Sequence, residues 1–328
     1  MTKMRWSLVA VLALVALVGC NRAPSSSTPG EQAGNPPGGD DRAGAVRLAV
    51  LSPALAATLD ELGLGDLVVA KHDYDLVLGD DVPAFGHNEA IDYERLLAVE
   101  PTHVLLEQRR QGVPGRLSEL AEDRGWVVRT HALRTIDDVA AVSDDLALSF
   151  GAASFDARSE PGPSGVPGMP AFGDPSERFG RELPSADLAR AMRPVEGAAS
   201  IGPVLLLASV DPPAAVGPGS FHHDILVRMG ATPAISEGSA WMELDAEDVL
   251  RLAPAAVVLI EPRGIDASPG EVGAAATRAR LGSLGELPVP AVVDGKLATI
   301  DDPLALLPSL SMVGFAEDLR VVVERWQE

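Results

Sequence analysis

Two stretches of the chain carry the same pattern. Residues 93–106 read YERLLAVEPTHVLL, and residues 246–259 read AEDVLRLAPAAVVL. In ungapped register Glu94 falls on Glu247, Leu97 on Leu250, Pro101 on Pro254, and Val104–Leu106 on Val257–Leu259. Each copy sets an acidic residue early in a short amphipathic helix. Each ends that helix near a proline, which cannot donate the next helical hydrogen bond, and then enters an apolar run with strand character. One copy would be an ordinary helix-to-strand turn. Two copies 153 positions apart, from 94 to 247, predict two similar α/β lobes, each offering a carboxylate at the same place on its surface.

A chain of 328 residues has room for one large domain or two lobes of ordinary size. Apolar residues at 46% are ample for a core, but aromatics at 4% leave the packing to Ala, Val and Leu. Lys+Arg 26 against Asp+Glu 47 gives a net charge of −21. So acidic a chain repels nucleic acid and anionic lipid, and nucleic acid is excluded as a partner.

Lys3 and Arg5 precede an apolar run from Leu8 to Val18, followed by Gly19 and Cys20. This is the secretory signal pattern, and the run is shorter than the roughly 20 apolar residues a membrane-spanning helix needs. Leu17-Val18-Gly19-Cys20 closely resembles a bacterial lipobox, which implies cleavage before Cys20 and lipid attachment to its thiol. An ordinary signal peptide with an incidental cysteine is the alternative. Cys20 is the only cysteine, so the rest of the chain has no disulfide, thiolate nucleophile or Cys metal site. Residues 21–44 are rich in Ser, Pro and Gly, lack an apolar period, and read as a flexible tether.

Strand and helix signals then alternate, which predicts mostly parallel pairing. Val46–Leu51 reads as a strand, and Ser52-Pro53 supplies the cap and first position of a helix ending at Gly63. There follow a strand at Leu67–Ala70, a helix at 92–99, a strand at His103–Leu106, a helix at 113–124, a strand at Trp126–Arg129 and a helix over Ile136–Phe150. Five prolines and four glycines interrupt the pattern at 159–175, and helical spacing resumes over Ser176–Arg193. The second half reads as strand Val204–Ala208, a loop at 217–219, a helix to Gly230, the repeat helix, strand Ala256–Ile260 and a helix near 270–280. Strands at Ala291–Val293 and Leu297–Ile300 and a last helix over 304–325 complete it. SPALAATLDELG (52–63) and GSFHHDILVRMG (219–230) form a weaker second echo, each a capped helix ending at glycine.

The segments LSPALAATLDELGLGDLVVA (51–70), IDYERLLAVEPTHVLL (91–106), GPGSFHHDILVRMG (217–230), WMELDAEDVLRLAPAAVVLI (241–260) and VPAVVDGKLATID (289–301) occur in a telling order. Together with the lipobox and tether they resemble the substrate-binding lipoproteins of ABC importers, in the helical-backbone class (class III) that captures cobalamin, ferric siderophores and haem. The resemblance implies an α/β fold of two Rossmann-like lobes joined by a long helical segment, with the ligand cleft between them. It implies a leader at 1–19, lipidated Cys20 and tether at 20–45, and an N-terminal lobe at 46–158. An insert and connecting helix at 159–202 and a C-terminal lobe at 203–328 follow. It further implies an extracytoplasmic, membrane-anchored monomer with no intrinsic cofactor, whose partners are a metal chelate and a permease dimer. Glu94 and Glu247 fall where that family pairs acidic residues with permease arginines. Exposed ion pairs are worth about 0–1 kcal/mol each, so such a pair would orient docking rather than supply most of the affinity. Helix N-terminal anions of purely local value are the plainer reading of both.

In paired α/β lobes a ligand binds beyond the carboxyl ends of the strands. His72, Tyr74, His87, Arg109, Phe221, His222 and Trp241 lie on loops expected there. Trp241 stands six residues before Glu247, a spacing that resembles the tryptophan beside the ligand in cobalamin binders, and an aromatic face suits a flat macrocycle. The histidines could ligate haem iron, cobalt or zinc, but no HxH or HExxH spacing is present, and a solvated loop histidine is the plainer state. Two departures from the family stand out: prolines interrupt 159–175, and Leu307–Ser311 lacks an arginine that many relatives carry. With Arg109, Arg110 and Arg263 as the available cations, the reading favours cobalamin or another neutral chelate over an anionic siderophore and leaves haem open. No GxSxG, P-loop, GxGxxG or HExxH motif supports an enzyme. A non-transporting sensor or scaffold of the same fold is the rival.

Overall fold

The computed structural model describes residues 45–87, 90–158, 183–268, 270 and 273–327. The expected leader, Cys20, nearly all of the tether and the 159–175 insert lie outside the described residues. The chain from Gly44 onward forms one compact unit.

β1 (Leu48–Leu51) is buried along its whole length. Four consecutive apolar residues leave it no solvent face, which suits a parallel strand covered on both sides. Ser52 then caps α1 (Pro53–Glu61), its hydroxyl accepting from the Leu55 amide at 3.4 Å. β2 (Val68–Ala70) returns parallel to β1. A small hairpin of β3 (Gly86–His87) and β4 (Ala90–Ile91) leads to α2 (Tyr93–Ala98) and β5 (His103–Glu107). α3 (Gly115–Arg124), β6 (Val127–His131) and α4 (Ile136–Arg158) complete the half. Its sheet has the order β2-β1-β5-β6 and is parallel throughout.

The second half runs α5 (Pro184–Ala191), β7 (Pro203–Val210), β8 (Pro213–Val216), α6 (Phe221–Arg228), β9 (Thr232–Pro233) and β10 (Trp241–Glu243). It continues with α7 (Ala246–Leu252), β11 (Ala256–Ile260), α8 (Ala274–Arg280), α9 (Pro290–Val293), β12 (Leu297–Ile300) and α10 (Met312–Arg325). β9, β7, β11 and β12 are mutually parallel in that order, the same path as β2-β1-β5-β6. β8 and β10 are an antiparallel addition on the β7 edge. The duplication therefore extends from one helix–strand unit to a whole four-strand topology.

Within the repeated unit the match is close. Asp92 caps α2 through the Glu94 and Arg95 amides at 3.1 and 3.0 Å, and Asp245 caps α7 through the Asp248 amide at 2.8 Å. Leu96 and Val249 occupy the same buried position. Glu100 and Ala253 have φ of 43° and 41°, and they alone among the described non-glycine residues have positive φ. Each precedes a proline, which disfavours the right-handed helical region for its neighbour and so ends the helix there. The left-handed conformation costs an L-residue roughly 1–2 kcal/mol. Each unit then delivers a central strand, β5 between β1 and β6, β11 between β7 and β12.

Several expectations are corrected. Ala291–Val293 belongs to a helical turn, not a strand: Pro290 occupies its first position and the Val293 amide bonds the Val289 carbonyl at 3.1 Å. The last helix begins at Met312 rather than 304, because Pro308 lacks an amide hydrogen and biases Leu307 away from helix. Of the helix expected over 176–193, the described part holds only Pro184–Ala191. Leu183, ahead of a proline, is extended at ψ 151°. α4 continues past Phe150 to Arg158, and β8 and β10 make the second sheet mixed.

The two halves share a core. Leu48, Leu55 and Leu59 pack in the same cluster as Ile225, Leu226, Val258 and the α10 residues Phe315 and Leu319. The Leu310 amide donates to the buried Thr58 hydroxyl at 3.2 Å, and Arg228 pairs with Asp137 at 2.8 Å. A strap, residues 301–311, thus runs from the end of β12 to α1.

Candidate functional site

Parallel strands of one sheet present all their carboxyl ends on one side, so the residues that follow them are neighbours whatever their sequence separation. On the first sheet these are Ser52, Lys71-His72, the end of β5 at Glu107 and the end of β6 at His131. The chain leaves β2 at Lys71, makes an excursion, and returns beside it: the Lys71 amide donates to the Pro83 carbonyl and the Phe85 amide to the Lys71 carbonyl, both at 3.0 Å.

Three of the predicted site residues meet on this excursion. The His72 and Tyr74 rings are 5.5 Å apart, Tyr74 and His87 5.9 Å, and His72 and His87 6.4 Å. Tyr74 is 68% exposed, so its ring is offered to solvent rather than packed. His72 is buried, and its Nδ1 accepts from the Tyr74 amide at 3.0 Å. Burial pushes the His72 imidazole below its usual range; the Asp73 charge opposes this, and His87 adds to it. His72 is thus a neutral support for Tyr74. His87 Nδ1 lies 3.4 Å from the Asp73 carboxylate, whose other oxygen accepts from the Gly86 amide at 3.0 Å. A carboxylate behind one imidazole nitrogen is the arrangement that orients the other toward a metal. Gly86 is required there: at φ +114° a Cβ would stand 2.1 Å from the Ala90 carbonyl oxygen.

The remaining predicted residues fall in separate places. Arg109 follows β5 and reaches Gln111 Oε1 at 3.4 Å. Trp241 sits on edge strand β10 opposite Val216, 51% exposed, with the Ala240 carbonyl accepting from the Gly217 amide at 3.1 Å. Phe221 opens α6, half-buried against the shared core. His222 is a correction: it was expected in the cleft and lies in the core at 4% exposure. It is stacked on Phe221 at 3.8 Å, set edge-on to Phe315 at 4.9 Å, and bonded through Nε2 to the Ala305 carbonyl at 2.7 Å. The helical period explains this, since Ser220 caps α6 and turns the second helical position inward. Burial pushes the His222 imidazole down to about 4, against the hydrogen bond to Ala305.

Glu94 and Glu247 are exposed, each the second residue of its helix behind an aspartate cap. Short turns reverse the chain from α2 into β5 and from α7 into β11, so the helix N-termini face the carboxyl ends of the strands. Glu94 therefore stands at the same end of the first sheet as the cluster at Tyr74, and Glu247 at the corresponding end of the second sheet.

One polar residue at these strand ends, His131, escaped the sequence reading. Glu107 and His131 are register partners. Burial raises the Glu107 carboxyl against the pull of Arg134, and burial lowers the His131 imidazole. The strand-terminal position of His131 was the available signal. On the second sheet Arg263 is committed to Asp301 at 3.2 Å, and Arg280 pairs with Glu261 at 3.2 Å. Among the described residues no group of three His, Cys, Asp or Glu is arranged to hold a metal ion. What the site can do is offer Tyr74 and His87 from one side to a metal already held by a chelator. A cavity of about 490 Å³ lies elsewhere, lined by Leu62, Ala191, Arg190, Leu310, Val313 and Arg320. It adjoins the C-terminal end of α1, at the amino ends of the strands, and contains none of the predicted residues.

No protein-family model matches the sequence, and no curated protein matches it. Solved structures do. The haem-binding protein RhuT of Roseiflexus sp. RS-1 matches with a TM-score of 0.56 at 16% identity, over 87% of this chain and 100% of its own. The vitamin B12-binding protein BtuF of Vibrio cholerae matches at 0.58 and 14%, over 87% and 98%. The haem-binding protein HutB of Vibrio cholerae matches at 0.57 and 16%, over 85% and 98%. The chain has the two-lobed α/β fold of the class III periplasmic binding proteins. At these identities the likeness is one of fold.

Proposed function

We propose that this chain is an extracytoplasmic binding protein that captures a metal chelate and delivers it to an ABC-importer permease. The observation that carries the reading is the Tyr74–His72–His87 cluster at the carboxyl ends of the first sheet, with Asp73 behind His87. It sits in a fold whose solved neighbours include binders of haem and vitamin B12. The two lobes would be residues 46–158 and 203–328, tethered through 20–45 to a lipid on Cys20. Glu94 and Glu247 would meet permease arginines, and their shared geometry behind matched caps supports that role.

For the cargo we favour a neutral chelate of the cobalamin kind. The net charge of −21 opposes an anionic ligand, and Arg263 is already neutralised by Asp301. Haem is the second reading, favoured by one observation: a tyrosine and a carboxylate-backed histidine side by side can ligate ferric iron. Titration of the protein with cobalamin, haem and ferric siderophores, followed by tryptophan quenching, tests both. Saturable binding of one chelate at micromolar concentration or below is expected. Binding of none refutes the proposal.

A further inference from the structure

The excursion that carries Tyr74 has no helix or strand between Lys71 and Ala84, and polar contacts rather than regular structure hold it. At its centre is the Lys71 ammonium, which donates to the Leu78 carbonyl at 2.7 Å and the Gly79 carbonyl at 2.9 Å, and lies 3.9 Å from Asp75 Oδ1. The Asp75 side chain is fully buried. Its Oδ1 also accepts from the Val77 and Leu78 amides at 3.1 and 2.7 Å, while Oδ2 has no hydrogen-bond partner. An ammonium ringed by carbonyls and a carboxylate occupies the kind of site that would otherwise take a free cation.

The consequences reach Tyr74 through the backbone. The Asp75 amide donates to the His72 carbonyl at 3.1 Å, and the Tyr74 amide donates to His72 Nδ1. The turn from His72 to Asp75 is therefore fastened at one end by β2 and at the other by the Asp75 carboxylate, which Lys71 neutralises. Val77, Leu78 and Val82 anchor the far side of the excursion on the shared core. The surroundings are acidic: Asp60 on α1 has its carboxyl raised by burial, then by the charges of Asp75 and Asp66. Without the ammonium, Asp75 would be a buried carboxylate with no counter-charge, and drawing it toward solvent would pull Oδ1 away from the Val77 and Leu78 amides. That movement unfastens the turn.

We propose that Lys71 is a positioning residue for the ligand site, an internal cation that fixes the Tyr74 ring against His87 without touching the ligand. The inference rests on the proposed function for its purpose, but its geometry stands apart from any ligand. The test compares wild type with Lys71→Met, which keeps the stem and removes the charge, with Lys71→Arg, and with Lys71→Met/Asp75→Asn. Amide hydrogen exchange of the unliganded protein is read first. In Lys71→Met the Tyr74 and Leu78 amides should exchange at least about tenfold faster while those of β1 and β5 stay protected, and Asp75→Asn should reverse part of this. Affinity for whichever of haem and cobalamin the wild type binds should fall about tenfold or more in Lys71→Met, measured well below its melting temperature. Lys71→Arg should recover most of both losses. Unchanged exchange at Tyr74 overturns the proposal, as does a uniform rise across the chain or an affinity that does not move. If the wild type binds neither chelate, the proposed function fails, and the exchange comparison alone decides the role of Lys71.

Discussion

The clearest quantitative consequence concerns His222 and acid. Its ring is held between Phe221 and Phe315, its Nε2–H donates to the Ala305 carbonyl, and its Nδ1 is buried with no partner. The folded state thus binds the neutral imidazole, with the ionisation pushed from 6.5 down to about 4. A base whose folded ionisation is depressed contributes stability fully above its unfolded value, and that stability is lost as pH falls from about 6.5 through about 4. At 1.36 kcal/mol per pH unit, the loss attributable to this ring is about 3 kcal/mol, an order-of-magnitude figure. His222→Gln retains an N–H for Ala305 and removes the titration. Urea unfolding of both proteins at several values from about pH 7 to about pH 4 should show the wild type losing its advantage by about that amount. His72, His103 and His131, also depressed by burial, titrate in both proteins and cancel in the difference. Parallel stability curves for the two would refute the reasoning.

Other consequences are more local. Gly86→Ala should destabilise by roughly 1–3 kcal/mol, seen as a lower urea midpoint, because φ +114° and the Ala90 carbonyl both oppose a Cβ. Asp73→Asn should weaken chelate binding about tenfold or more in a fluorescence titration, through loss of the carboxylate behind His87. Reversing Glu94 and Glu247 together to Arg should abolish stimulation of the permease ATPase in proteoliposomes while leaving chelate affinity unchanged; undiminished stimulation would remove the docking role. Arg228→Ala breaks the exposed 2.8 Å pair with Asp137 that bridges the halves, and should change the unfolding free energy by less than about 1 kcal/mol.

Sequence patterns went furthest where local rules and burial agreed. The Ser52-Pro53 cap, the paired helix–proline–strand units and the buried strands β1, β5 and β11 were all legible, because each is set by nearby residues and an unbroken apolar run. β8 and β10 were not, since strands of three or four residues are too short to show a period of their own. Ala291–Val293 has the composition of a strand, but Pro290 opens a turn of helix there, closed by the Val293 amide on the Val289 carbonyl. At the site, the meeting of His72, Tyr74 and His87 was half visible as polar residues on neighbouring loops. The inward turn of His222 depended on which residue caps α6. Lys71 was invisible for a different reason: its partners are backbone carbonyls seven and eight residues on, and no side-chain pattern announces them.

The left-handed residues Glu100 and Ala253 carry one more implication. Each copy of the unit opens on its own aspartate cap and closes on its own strained residue, so the two ends of its helix are set by nearby residues. Residues 93–106 and 246–259 should tolerate exchange of their exposed positions between copies. Glycine at 100 or 253, relieved of the left-handed penalty, marks where the fold has stability still untaken.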